Sequence, residues 1–197
     1  DHNTAPAAPA LPLRMFLGFT NQWECDHIGH LNAMFYLNRA YHGWAPFATA
    51  VNLKSAFQRE AVSTLLPREV HLRFHKELRG GSSAEMRGGV LEFTEDSVTL
   101  YQELRNPING ELHATYRVIL DHVEAKSGKL FPWPQKSRAP LESLRIDAMP
   151  EHGRARSIDL SLPADNGSLA RALELGVPVA GLSMLTPAET DAFGRML

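Results

Sequence analysis

Apolar and polar positions follow two different periods along this chain, and the change of period marks the elements. Arg14–Trp23 reads as a strand, with Met15, Phe16, Leu17 and Phe19 ahead of the polar Thr20, Asn21 and Gln22. A run dense in ionisable groups, Glu24 to Asn32, comes next. Beyond it Met34, Leu37, Tyr41, Trp44, Ala48 and Val51 recur every three or four residues and predict a helix with one apolar face, opening near His30 or Leu31. Gly43 and Pro46 predict a kink or break in it near Trp44. The period then shortens to two. Glu69–Leu78 sets Val70, Leu72 and Phe74 against His71, Arg73 and His75, and Ala84–Phe93, Val98–Arg105 and Leu112–Val123 follow as strands. Gly80-Gly81, Thr94-Glu95-Asp96 and Asn106-Pro107-Ile108-Asn109-Gly110 supply the turns between them.

A strand, a long helix and an antiparallel meander of four strands imply an α+β fold, a curved antiparallel sheet wrapped around one long central helix. Pro132-Trp133-Pro134 closes that unit. Residues 135–157, mixed and charged, predict a linker or irregular extension, and Ser168–Leu175 a short helix capped by Gly176. The Ala- and Pro-rich segment 1–12 predicts a mobile lead-in.

Composition narrows the function classes. The 197 residues are 44% hydrophobic, and 20 basic against 22 acidic side chains leave a net charge of −2, so no general basic surface marks a nucleic-acid binder. No apolar run approaches the ~18–20 residues of a membrane helix. The single cysteine, Cys25, excludes an internal disulfide framework and fits a reducing compartment, hence a cytoplasmic expectation.

The chemistry gathers between the first strand and the helix. Asp26 there could serve as a nucleophile or as a general base for water, and the free N–H groups of a first helical turn could hold a developing oxyanion. Gly29 allows close backbone approach. Equally, an Asp before a helix can be only a cap or turn residue. Asn32 either orients a water or carbonyl or satisfies local amides. Tyr36 either lines a pocket or is core. Arg73, Lys76 and Arg79 could meet a phosphate-bearing carrier such as coenzyme A, or form the wet face of a sheet. Glu77 and Arg79 stand just before a turn. Tyr41, Trp44 and Phe47 could cage a cationic acyl group, with core packing the ordinary alternative. His71, His75, His113 and His122 fall at strand positions expected to be exposed. The cluster Cys25, Asp26, His27, His30 has no zinc-site spacing, so neither metal nor cofactor is expected.

The run Trp23-Glu24-Cys25-Asp26-His27-Ile28-Gly29-His30-Leu31-Asn32 with Tyr36-Leu37 resembles the signature of hotdog-fold acyl-CoA thioesterases of the 4-hydroxybenzoyl-CoA thioesterase type. Glu77-Leu78-Arg79-Gly80-Gly81, Gly110-Glu111-Leu112-His113-Ala114-Thr115 and Phe131-Pro132 are similar to later parts of that pattern, and betainyl-CoA-like thioesterases are the nearest flavour. The resemblance runs from Met15 to Pro134. It implies hydrolysis of an acyl-CoA thioester, Asp26 in the catalytic position and amides near Gly29, His30 and Leu31 polarising the carbonyl. Asn32 completes the candidate catalytic set, and Tyr36, Glu77 and Arg79 are the candidate substrate-binding residues. It further implies a homo-oligomer, dimer or tetramer, with two sheets joined side by side. Ala33 and Met34 depart from the usual pattern, which leaves the acyl group open.

The tail repeats the reactive run. Thr186 to Leu197 reads as a second copy of Asn21 to Asn32, with Glu189, Asp191 and Gly194 each 165 positions after Glu24, Asp26 and Gly29. Leu182–Leu185 is its strand-like lead-in. The expected organisation is a lead-in (1–12), a hotdog domain (13–134), a connector (135–180) and the possible start of a second, truncated repeat (181–197), either a fragment of a double-hotdog pseudo-dimer or a truncated repeat that docks elsewhere. Acyl-CoA hydrolysis is the leading function. A hydratase lacks its usual Asp/His pair here, while a non-catalytic acyl-CoA-binding or regulatory module shares the pocket without turnover, and a plain interaction domain would bind no CoA derivative.

Overall fold

The computed structural model describes residues 11–161, 167–179 and 190–195. Strand β1 (Leu13–Phe19) leads through a 3-10 turn (Gln22–Glu24) into helix α1 (Ala33–Ala50). Strands β2 (Ser63–Phe74), β3 (Ser83–Phe93), β4 (Ser97–Arg105) and β5 (Leu112–Glu124) follow, then helix α2 (Gln135–Ser143), a 3-10 turn (Glu151–Gly153) and helix α3 (Leu169–Glu174). The chain divides into two compact units, Asp1–Arg154 and Ala155–Leu197. The lead-in over 1–10 and the strand-like Leu182–Leu185 lie outside the described residues.

All five strands of the first unit form one antiparallel sheet in the order β1-β3-β4-β5-β2. The expected four-strand meander is therefore a three-strand meander, β3-β4-β5, with β2 moved to the far edge. Gly80-Gly81 does not fold β2 back on β3. Instead the Gly81 N–H donates to the Thr20 carbonyl and Thr20 N–H to the Ser82 carbonyl, tying the connection to the end of β1. β2 also begins six residues before the expected Glu69, and its register on β5 shifts between Pro67 and Glu69. A proline has no N–H for the ladder, so an edge strand is where it is tolerated.

Helix α1 packs its buried face on the sheet. Tyr36, Ala40, Trp44, Phe47 and Ala48 join Met86, Leu100, Leu104, Tyr116 and Val118 in one apolar core. Met34 and Leu37 are exposed, so the buried stripe is rotated from the expected one. The helix also runs unbroken through Gly43 and Pro46, against expectation. At Gly43 it lies close against the sheet: an added Cβ would meet Met15 Cβ at 3.1 Å and the ends of Gln102 and Met86 at 3.3 Å. Pro46 is exposed, with Gly43, Trp44, Phe47 and Ala48 buried on either side of it in the helix. Gly43→Val is expected to lower unfolding free energy by about 1–3 kcal/mol through overpacking, read as a drop in the urea midpoint with an unchanged slope.

Residues 135–154, expected as a linker, pack within the first unit. The Val90 N–H donates to the Leu144 carbonyl and the Ile146 N–H to Val90, so the chain after α2 continues the ladder on β3 beyond the end of β1. Gly89 admits this approach, because a Cβ there would lie 2.6 Å from Ile146. None of the four histidines expected at exposed strand positions is exposed, and His71 and His75 are half-buried. His113 is buried, and His122 is fully buried, stacked on Trp133 at 4.7 Å and bonded to Ser63 Oγ. Among the described residues, no helix is long and apolar enough to cross a membrane.

Candidate active site

Residues 26–30 close a tight turn around the side chain of Asp26. Its Oδ1 accepts the N–H groups of Ile28 and His30, both at 3.0 Å, while the Asp26 N–H donates to the His30 carbonyl at 2.8 Å. Gly29 makes the turn possible at a φ of +83°, and its N–H donates to the Asp26 carbonyl. Nothing among the described residues donates to the second carboxylate oxygen, Oδ2. The His30 N–H holds the Asp26 carboxyl below the usual aspartate range; desolvation opposes this, and the Ile28 N–H and the neighbouring His30 and His27 add to it. At neutral pH the group is an ionised carboxylate, anchored by one oxygen and open at the other.

The helix does not begin where the spacing placed it. Asn32, in extended conformation, is the N-cap, its Oδ1 accepting the Met34 N–H at 3.2 Å, and α1 starts at Ala33. The amides expected to polarise a carbonyl are engaged: Gly29 and His30 within the turn, Leu31 with the Leu78 carbonyl, Asn32 with the Glu24 carbonyl. The Ala33 N–H has no partner among the described residues, and Ala33 lines the same cleft as Asp26. A free N–H at the positive end of an 18-residue helix suits a developing oxyanion.

A buried ion pair that sequence reasoning passed over locks this loop to the helix. Arg39 donates to Glu24 Oε2 at 2.6 Å, with both side chains about 95% or more buried, and the guanidinium lies over the Phe16 ring. The same Glu24 oxygen also accepts the Asn21 N–H and side-chain amide. Burial alone would push the Glu24 carboxyl up, but Arg39 and the Asn21 donors outweigh it and hold it low. The available signal was a charged residue on the buried face of α1, one turn from Tyr36, where only a paired charge belongs.

The cleft encloses about 540 Å3. Asp26, His30, Leu31 and Ala33 form one wall, and Phe74, His75, Lys76 and Glu77 the other, with Tyr36 between them. The fold thus gathers Asp26, His30, Leu31, Tyr36 and Glu77 from the candidate residues. His30 Nε2 lies 3.2 Å from Glu77 Oε2. Tyr36 is buried and its hydroxyl accepts the Leu78 N–H, while Phe74 meets its ring edge-on at 5.0 Å. Gly29 and Asn32 act through the backbone turn and the helix cap. Arg79 is exposed, two residues beyond Glu77, with its backbone bridged to His30. Lys76 is paired with Glu111, and Arg73 donates to the Arg154 carbonyl, so the three basic residues do not act as one cluster. Trp44 and Phe47 are buried in the core and form no cage with Tyr41, which packs edge-on against Trp44 and Phe57.

Residues 20–141 match the thioesterase-like superfamily. No curated protein matches the chain. Among solved structures it is similar to a protein of Pseudomonas putida KT2440 provisionally named a thioesterase, at 18% identity over 75% of this chain and 97% of that one, TM-score 0.64. A hypothetical protein of Staphylococcus aureus, solved in complex with CoA, is 16% identical over 75% of this chain and 96% of its own, TM-score 0.64. A thioesterase of Thermus thermophilus, complexed with coenzyme A and Zn, is 15% identical over 70% of this chain and 97% of its own, TM-score 0.58. At such identities the likeness is one of fold, the hotdog-like α+β arrangement described above.

Proposed function

This chain belongs to the thioesterase-like superfamily, and from that premise we propose that it hydrolyses acyl-CoA thioesters, with Asp26 as the reactive carboxylate. The observation that carries the reading is Asp26 itself: one oxygen held by two amides and the other open, in a cleft that Ala33, with its unpartnered N–H, also lines. The CoA found with two structural neighbours supports the choice of carrier.

A thioester carbonyl lying between Asp26 Oδ2 and the Ala33 N–H would meet its nucleophile on one side and its oxyanion donor on the other. With one oxygen anchored and the other open, Asp26 Oδ2 is taken as the attacking atom. An Oδ2–acyl bond then forms as the C–S bond breaks and CoA leaves as thiolate. Water cleaves the resulting mixed anhydride, releasing the free acid and restoring the carboxylate. His30, held by Glu77, stands at the cleft wall to interact with that water, and the exposed Arg79 offers a cation to the phosphates of the carrier. Gly29, Leu31 and Asn32 shape the turn and start the helix, and Tyr36 forms the cleft floor. The proposed subtype is the 4-hydroxybenzoyl-CoA type, on the Asp26, Gly29, His30, Asn32 run. The proposed assembly joins two hotdog units at the outer edge strand β2, as a homodimer or an internal pseudo-dimer.

Thiol release from a panel of aromatic, short aliphatic and betainyl CoA esters tests the proposal. Turnover of at least one class is expected, and binding of CoA esters without any release would instead make the protein a non-catalytic module. Rapid-quench intact mass during turnover checks the covalent step, with an acyl adduct on the peptide containing Asp26 as the expected product.

A further inference from the structure

We propose that Ser63 and His122 form a second catalytic pair, a serine nucleophile with its histidine base, in a cleft that takes a carboxylic ester bearing an anionic group. This chemistry is distinct from the proposed thioester hydrolysis and needs nothing from Asp26.

The pair is a product of strand register. Ser63 opens β2, and Leu65 pairs with His122 on β5, so Ser63 lies two residues earlier on the same face, diagonal to the histidine. Ser63 Oγ is 2.8 Å from His122 Nε2, and His122 Nδ1 is bonded to the Phe131 carbonyl. A carbonyl only accepts, so Nδ1 carries the ring proton. Burial holds the ring below the usual histidine range, against the pull of the Phe131 and Pro132 backbone and the Asp96 carboxylate, so it is neutral near pH 7. Nε2 is then a bare acceptor, and the Ser63 hydroxyl donates to it. Trp133 stacks on the ring, the two planes 11° apart, and fixes its orientation. Nucleophile, base and orienting acceptor thus stand in the order that activates a hydroxyl.

Satisfying a buried histidine requires only the hydroxyl. Ser63 is half-buried, however, and lines a cleft of about 730 Å3. This cleft follows the end of α1, whereas the Asp26 cleft lies at its start, so about 27 Å of helix separates them. Exposed Lys54 and Lys136 line it against one carboxylate, Glu60, a balance that favours an anionic substrate. Val62 and Phe131 add apolar surface for the acyl part. Lys54, Ser55 and Val62 all line the cleft, and their N–H groups have no partner among the described residues, which makes them candidate donors to an oxyanion. In the reaction Ser63 Oγ attacks the ester carbonyl carbon and its proton passes to His122 Nε2. The C–O bond breaks, and the leaving alkoxide takes that proton. Water then attacks the acyl-serine, giving a proton to Nε2, which returns it to Ser63 as the acid leaves.

The test uses the full chain carrying Asp26→Asn, so that the first site lacks its reactive carboxylate and the two readings fail separately. Treatment with a fluorophosphonate and peptide mapping are expected to place an adduct on Ser63. The same protein is expected to hydrolyse p-nitrophenyl hydrogen succinate faster than p-nitrophenyl acetate. Adding Ser63→Ala is expected to lower that hydrolysis by about 100-fold or more, with thermal unfolding as the folding control. Absence of an adduct on Ser63 overturns the proposal, as does equal ester hydrolysis with and without Ser63; either leaves Ser63 as the hydrogen-bond partner of a buried histidine. Preference for the acetate would overturn the anionic substrate class. Adduct mapping is read on a chain that keeps Ser63, so it decides the matter even where Ser63→Ala does not fold.

Discussion

Asp26→Asn in the first unit is expected to lower the turnover of that unit by about 100- to 10,000-fold, the usual cost of losing a nucleophile or base, with little change in stability. The reason for expecting so clean a separation is the geometry of the turn. Asn can accept the Ile28 and His30 N–H groups through its side-chain oxygen just as Asp26 Oδ1 does, so the turn closes as before. What disappears is the negative charge on the second oxygen. Thiol release measured beside thermal unfolding separates the two effects, and near-normal turnover would remove Asp26 from the chemistry. The same geometry predicts a pH dependence. Because the His30 and Ile28 amides favour the ionised form, the folded pKa lies below the ordinary value of about 3.9, and the acid limb of kcat/KM due to Asp26 falls below it as well. Brief exposure to acid followed by assay near neutrality separates this limb from irreversible unfolding.

Arg39→Met is expected to destabilise the first unit by about 3–5 kcal/mol, because it leaves the Glu24 carboxylate buried without its counter-ion. Its effect reaches the reactive turn, since the Glu24 carbonyl holds the Asn32 N–H at the start of α1 while the Glu24 side chain caps Asn21. A double variant, Glu24→Gln with Arg39→Met, removes both charges and is expected to recover part of the loss. The sign of the pH effect follows from Glu24. Its folded pKa is depressed below the unfolded value of about 4.3, so the pair's contribution is fully present above that value and is lost as pH falls through the folded pKa. The stability gap between the natural protein and Arg39→Met therefore narrows as pH falls into the acid range, because the buried Glu24 without its counter-ion protonates before the paired one does. Chemical denaturation at about pH 7 and at acid pH measures it. A gap that stays constant would mean that Glu24 is not held ionised by Arg39.

Much of the candidate site was legible along the chain because its chemistry is local. Asp26, Gly29 and His30 fall within five residues, and the turn they form depends on side chain-to-backbone bonds spanning two to four positions. The strands β3, β4 and β5 were equally readable, since alternation and turn residues are short-range signals. The start of α1 was less so. Apolar spacing alone cannot say that the amides of Leu31 and Asn32 are taken by Leu78 and Glu24, and those two bonds delay the helix to Ala33. Leu78 is far from Leu31 along the chain, beyond the reach of any local pattern. Its carbonyl decides which N–H groups remain for a substrate.

Local sequence therefore determined helix α1, strands β3 to β5 and the Asp26 turn, because each depends on spacing or bonds within a few residues. The tertiary structure decided the rest. It carried β2 past β3 to the edge beside β5, which sets Phe74 and Glu77 across from His30 and makes a cleft of separate segments. It rotated the buried face of α1 so that Arg39 found Glu24 and Gly43 met Met15. It also turned residues 135–154 from an expected linker into part of the first unit, because Gly89 leaves room beside β3 where β1 ends. Each of these outcomes depends on which distant surfaces fit together, and burial rewards that fit only once the whole sheet has closed on its helix.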